Sequence, residues 1–268
     1  MCSSFAMDSE SIVYKDYFNL WFGELGGSEV YKEPILSDFT LDKVKLFCYS
    51  LQQDTHVFLM AVDVLERYIS TKNLLGLEIE DPLLYIITII YLTGKQTGDL
   101  SGFKTETLID LYVKLTQRLL TNGQIKTAEI DILMTLDHTL PLHTKIDDMN
   151  LFLQYYQIPD LDVDFQPLCE EILNFYVVNS LRIFNRIKLN YMKKQEALNA
   201  FVDIYSKRLY LPIGIFLSAI KMSSRLRTIL HYKTIVLELS ELSFIHEDHL
   251  NILAKEIYNS RKELHKQL

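Results

Sequence analysis

Loop punctuation is sparse in this sequence, with nine glycines and six prolines in 268 residues. That scarcity excludes a collagen-like or linker-rich chain and argues against an all-β design with many tight turns. Three cysteines, Cys2, Cys48 and Cys169, have no paired spacing. That argues against a disulfide framework and a multi-cysteine zinc site, and a reducing compartment is expected. Long apolar runs are missing too. The richest, Leu83 to Leu92, has ten residues and stops at Thr93-Gly94-Lys95. It is too short to span a bilayer and reads as a buried core helix. The N-terminus has no basic segment followed by an apolar core, so it does not read as a signal peptide. The expectation is a soluble intracellular protein without membrane association.

What is present is a folded composition. Hydrophobic residues make up 49% and charged residues 23%, which excludes disorder for the bulk of the chain. Charge is uneven. Residues 1–150 carry a net −10 and residues 151–268 a net +2. Residues 182–233 hold eleven basic residues against Glu196 and Asp203 alone. Two structural units with different surfaces are expected. The basic stretch reads as solvated helix faces, with a phosphate-binding or acidic-partner patch as the sharper alternative. Its few interleaved aromatics argue against single-strand nucleic-acid binding.

Periodicity is helical almost throughout. Residues 1–30 form an arm ending near Gly26-Gly27. Helices are predicted over about 34–49, 55–70, 82–95, 105–120 and 124–138, with Pro34 and Pro82 at starts and Asn122-Gly123 as a stop. A second set is predicted over 146–156, 166–190, 194–208, 211–224, 226–239 and 246–266. No strand pairs with turn chemistry appear. The fold class is all-α.

Motifs that carry chemistry are scarce. The glycines are too scattered for a phosphate loop, and no G-x-S-x-G elbow exists. His246 and His249 have metal-ligand spacing but no further ligand nearby, so an exposed first helical turn is expected. Asp160, Asp162 and Asp164 lack the glycine and distant glutamate of a calcium loop. Cys48 and Cys169 read as small buried hydrophobes. Two charged residues stand apart. Glu129 lies on the apolar stripe of the fifth helix, where a carboxylate needs a partner. Lys95 ends the most apolar helix, where the helix dipole favours a cation.

The stretch Val57-Phe58-Leu59-Met60-Ala61-Val62-Asp63-Val64-Leu65-Glu66-Arg67-Tyr68-Ile69-Ser70 resembles the second helix of a cyclin box. Leu92-Thr93-Gly94-Lys95 is similar to the end of that family's third helix. Glu129, Leu133, Leu136, His138, Leu140 and Thr144 keep the spacing of its fifth helix and exit. The resemblance covers about residues 34–145. It implies tandem cyclin-like five-helix folds, the second divergent: a cyclin box over 31–145 and a second helical domain over 146–268. It also implies that Lys95 and Glu129 grip a cyclin-dependent kinase. Leu36-Ser37-Asp38-Phe39-Thr40 and Lys43 depart from the family's substrate-docking segment, so that groove is not expected. Gln96-Thr97-Gly98 replaces the acidic pair that usually follows the helix-three lysine.

Within the cyclins, Tyr31-Lys32-Glu33-Pro34, Ala61 to Tyr68, Ala128 to Leu133 and Leu211 to Tyr258 are similar to the divergent family of cyclin N-terminal domain-containing protein 1. That similarity implies a nuclear, chromosome-associated regulatory protein, not an enzyme, that promotes meiotic crossover formation and needs no cofactor. Implied partners are a cyclin-dependent kinase, RING-type crossover regulators and mismatch-repair-type proteins. Direct nucleic-acid binding by the basic stretch is a subordinate reading. The alternatives are a kinase-independent scaffold for recombination factors and a divergent cell-cycle or transcription cyclin.

Overall fold

A computed structural model of the protein describes residues 33–97, 104–141, 143–192 and 195–264. The arm expected over residues 1–30 lies outside them. Among the described residues the chain is all-helical, with no strands. It divides into two compact units, one made of Pro34–Thr144 with Val177–Leu181, the other containing Lys145–Tyr176 and Arg182–Leu268.

In the first unit, α1 is Asp38–Ser50, α2 Thr55–Leu74, α3 Pro82–Thr97, α4 Thr105–Thr116 and α5 Asn122–Thr135. Local chemistry sets their ends. Ser37 caps α1 by accepting from the Thr40 N–H, so this helix starts at Asp38 rather than at Pro34. Asp54 caps α2 in the same way through the Val57 N–H. Asn122-Gly123 does not stop α4, which ends at Thr116 with Gln117 in the left-handed conformation. It opens α5 instead, because Thr121 and Gln124 form a reciprocal capping box. The far end of α5 falls short of the expected residue 138, since Asp137 and His138 both take positive φ.

The core of this unit lies where α3 packs against α2 and α5. Ile87, Ile89, Ile90 and Leu92 are buried around much of α3, facing Val57, Ala61, Val64 and Leu65 of α2 and Ile125, Ala128 and Ile132 of α5. An apolar helix wrapped by its neighbours is how a run such as Leu83 to Leu92 can be buried inside a helical unit.

In the second unit, α6 is Lys145–Tyr155, α7 Ile158–Leu161, α8 Phe165–Val178, α9 Ser180–Tyr191, α10 Gln195–Tyr205, α11 Tyr210–Met222, α12 Ser224–Ile229, α13 Tyr232–Ser243 and α14 Glu247–Leu264. The single helix expected over 166–190 is two helices that break at Asn179, and that over 226–239 breaks at Leu230-His231. Here α11 is the central helix, buried continuously from Pro212 to Ile220. It packs against α6, α13 and α14. Phe216 of α11 stacks on Tyr156 and meets the ring edge of Phe165. No described helix is long and apolar enough to cross a membrane.

Candidate functional site

Lys95 and Glu129 are brought together. The Lys95 ammonium hydrogen-bonds Glu129 Oε1 across the junction of α3 and α5. The pair is neither buried nor free in solvent, with side-chain exposures of 35% and 17%. Lys95 also lies over the Tyr91 ring, 4.2 Å from its centre, a favourable cation–π geometry that fixes the long side chain. The next residue, Gln96, donates from Nε2 to the Pro141 carbonyl at 2.7 Å, tying the end of α3 to the segment that follows α5.

The other side of α5 is held by a second carboxylate. Asp131 lies roughly 200° around the helix from Glu129. It accepts from the Tyr68 hydroxyl at 2.6 Å and from Lys72 Nζ at 2.9 Å, both on α2. Lys72 also sits over the Tyr68 ring, which stacks on Tyr85 of α3. The helix is therefore pinned on two flanks, to α3 through Glu129 and to α2 through Asp131. Its rotation, and with it the direction of Glu129, is set by both. Sequence reasoning did not single out Asp131, Tyr68 or Lys72. The available signal was a lysine four residues after a buried tyrosine on one face of α2.

Burial pushes the Asp131 carboxyl up, but the hydrogen bonds from Tyr68 and Lys72 and the Lys72 charge outweigh it and hold the group below its ordinary value of 3.8. A depressed native carboxylate stabilises fully above the unfolded value, and that contribution disappears as pH falls through the native one. Asp131→Asn should therefore flatten the acid limb of stability. Urea midpoints measured from about pH 6 to about pH 3 should fall less in the variant than in the wild type; an equal or steeper fall would show that the network is not coupled to folding.

Glu129 also borders an apolar surface. Ile130 and Met134, one turn apart on α5, are 58% and 67% exposed although the opposite stripe of the helix fills the core. A helix that is apolar on its outer flank as well as its inner one has more apolar surface than its own unit covers. At one edge of that flank the ion pair offers a donor and an acceptor side by side. Such a pair can meet the free N–H and C=O groups of an incoming backbone segment. On α1, Phe39, Leu46 and Tyr49 are exposed, with Lys43 above the Phe39 ring at 5.2 Å.

The other sequence motifs take structural roles. Tyr191 Oη and His249 Nδ1 are hydrogen-bonded at 2.5 Å and their rings stack, while His246 stays exposed. Burial, helped by the neighbouring His246, lowers the His249 value. Among the described residues no group of three or more His, Cys, Asp or Glu could hold a metal ion. Asp162 bonds the Ser223 hydroxyl at 3.1 Å. Cys48 and Cys169 are buried, and burial pushes both thiols up, Cys48 to about 12, so neither is a ready nucleophile. Cys2 lies outside the described residues. No protein-family model matches the chain, and no curated protein matches it significantly.

Proposed function

We propose that this chain is a cyclin-like regulatory subunit that binds a cyclin-dependent kinase through the α3/α5 surface, and that it serves meiotic crossover formation on nuclear chromosomes. The observation that carries the reading is the Lys95–Glu129 pair, partly exposed at the α3/α5 junction and bordered by the exposed Ile130 and Met134. In the cyclins that this chain resembles, the helix-three lysine and the helix-five glutamate grip the αC-helix region of the partner kinase. Two further features support it. The described residues of 34–144 form five helices around an apolar third helix, the number a cyclin box would have. The second unit is also built around one continuously buried helix, α11, although its described residues form nine helices where a five-helix copy is expected. RING-type regulators and mismatch-repair-type crossover proteins are the further partners this reading names, and no cofactor is required.

Glu129→Lys should weaken kinase binding by about 2–5 kcal/mol, because it places like charges where a partly desolvated pair stood. The test is purification of kinase from meiotic tissue with the wild type, Glu129→Lys and Ile130→Asp, with helical content checked by circular dichroism. Loss of kinase from both folded variants is the expected result. Equal recovery with all three would sink the reading.

One observation favours a scaffold without kinase activation. Gln96, which replaces an acidic residue of kinase-activating relatives, is tied internally to Pro141. The same purification separates the two readings. Crossover factors recovered equally with all three chains, and no kinase with any, would leave the scaffold.

A further inference from the structure

The second unit contains a cluster of basic side chains separate from the Lys95–Glu129 pair. Lys221, in the last turn of α11, is half-buried, and its ammonium lies 4.7 Å from the centre of the Tyr232 ring. Tyr232 is the first residue of α13, and its hydroxyl donates to Asn251 Oδ1 of α14 at 3.1 Å. Lys255 stands one turn beyond Asn251 on the same face of α14. Three helices thus contribute to the cluster: Lys221 lies against Tyr232, Tyr232 bonds Asn251, and Lys255 is near enough for its charge to act on Lys221.

Among the described residues neither Lys221 nor Lys255 has an ion pair. Burial lowers the Lys221 value, and the charge of Lys255 pushes it the same way. The surrounding sequence adds to the imbalance. From Ile204 to Leu237 there are six basic residues and no acidic one. Of these, Arg225, Arg227 and Lys233 are exposed on α12 and the first turn of α13. That first turn has no acidic residue, and His231 gives it no side-chain cap. The negative end of α11 offsets part of the Lys221 charge, but a half-buried cation whose charged neighbour is another cation is a costly arrangement. It becomes favourable when an anion enters.

We propose that Lys221, Lys255 and the Tyr232–Asn251 edge form a receptor for the phosphoryl group of a phosphorylated serine or threonine in a partner protein. A phosphoryl group carries about −1.5 to −2 at neutral pH, enough to answer two lysines, whereas one carboxylate is not. A nucleic-acid backbone fits less well. Its long polyanion would meet a chain of net charge −8, and the Tyr232 face that could stack a base is covered by Lys221.

The full chain, labelled with 13C at lysine Cε, is titrated with inorganic phosphate and followed by NMR. The Lys221 and Lys255 resonances should move together and saturate, with the Lys221 titration displaced to higher pH. A fluorescein-labelled peptide with one central phosphoserine should then bind about tenfold or more tightly than its unphosphorylated twin. Lys221→Met and Lys255→Gln should each weaken it by about tenfold. Lys221→Met keeps the apolar stem and removes the buried charge, so its thermal midpoint should rise. Should that variant not fold, exposed Lys255 carries the test. Phosphate that leaves both resonances unmoved, equal binding of the two peptides, or full binding by the folded variants would overturn the proposal. Duplex DNA that displaces the phosphopeptide at lower concentration than the peptide's own would assign the cluster to nucleic acid instead.

Discussion

Arg208→Met should destabilise the second unit by about 3–5 kcal/mol, because it strands a buried charge. Asp148 of α6 is 1% exposed, and the Arg208 guanidinium, just before α11, is its bidentate partner at 2.8 and 2.9 Å. Burial raises the Asp148 carboxyl, and Arg208 only partly pulls it back. The pair therefore does not make the fold more stable than apolar residues would; it makes the fold intolerant of losing one partner. Two consequences can be measured. Arg208→Met/Asp148→Leu should recover most of the loss, since no charge is left behind. The deficit of Arg208→Met should also shrink on acidification. A native carboxyl with a raised value binds its proton before the unfolded chain does, so lowering the pH through the native value relieves the cost. Chemical denaturation of the wild type and the two variants at neutral and acid pH decides it. A double variant as unstable as the single one would mean that Arg208 acts by packing rather than by charge.

This pair also shows where sequence reading stops. Asp148 and Arg208 are 60 residues apart, and neither position looks unusual in its local sequence. Both read as surface charges until α6 and α11 are packed. Asp131 was hidden for the same reason, since its partners Tyr68 and Lys72 lie on a different helix. The all-α class was legible because periodicity is a local property, and the two central helices were legible as the most apolar segments. Helix ends were read less well where a single side chain decides them. Thr121 turned an expected stop into a start, and the break at Asn179 has no proline or glycine to announce it.

Lys95 and Glu129 were legible in a different way. Glu129 was conspicuous as a carboxylate on an apolar stripe, and its need for a partner followed from burial alone. Its pairing with Lys95 answers that need only in part, since both side chains keep solvent access. Asp148, by contrast, is 1% exposed where Glu129 is 17% exposed, so only the former carboxylate is fully withdrawn from water.

Gly214→Val should cost about 3 kcal/mol or more, because α11 and α14 approach each other through this residue. A Cβ at Gly214 would lie 2.3 Å from Leu253 Cδ2 and 2.5 Å from its Cγ. Leu253 is fully buried, so it has no room to swing aside. One turn further, the Ser218 hydroxyl lies within hydrogen-bonding distance of the Gly214 carbonyl at 2.7 Å and the Ala254 carbonyl of α14 at 2.9 Å. Small residues at 214, 218 and 254 thus let two backbones meet directly. Gly214→Ala gives the cleaner sign. Helix propensity alone predicts a gain of about 1 kcal/mol, whereas the close approach predicts a net loss. Leu253→Ala should be destabilising by itself, by about 2–5 kcal/mol, yet adding Gly214→Ala to it should cost little further, because the space the new methyl needs is then open. Thermal or urea unfolding of the four chains measures the coupling. Strict additivity, or a gain from Gly214→Ala alone, would mean that the two helices can separate at no cost and that the centre of the second unit is not built on this contact.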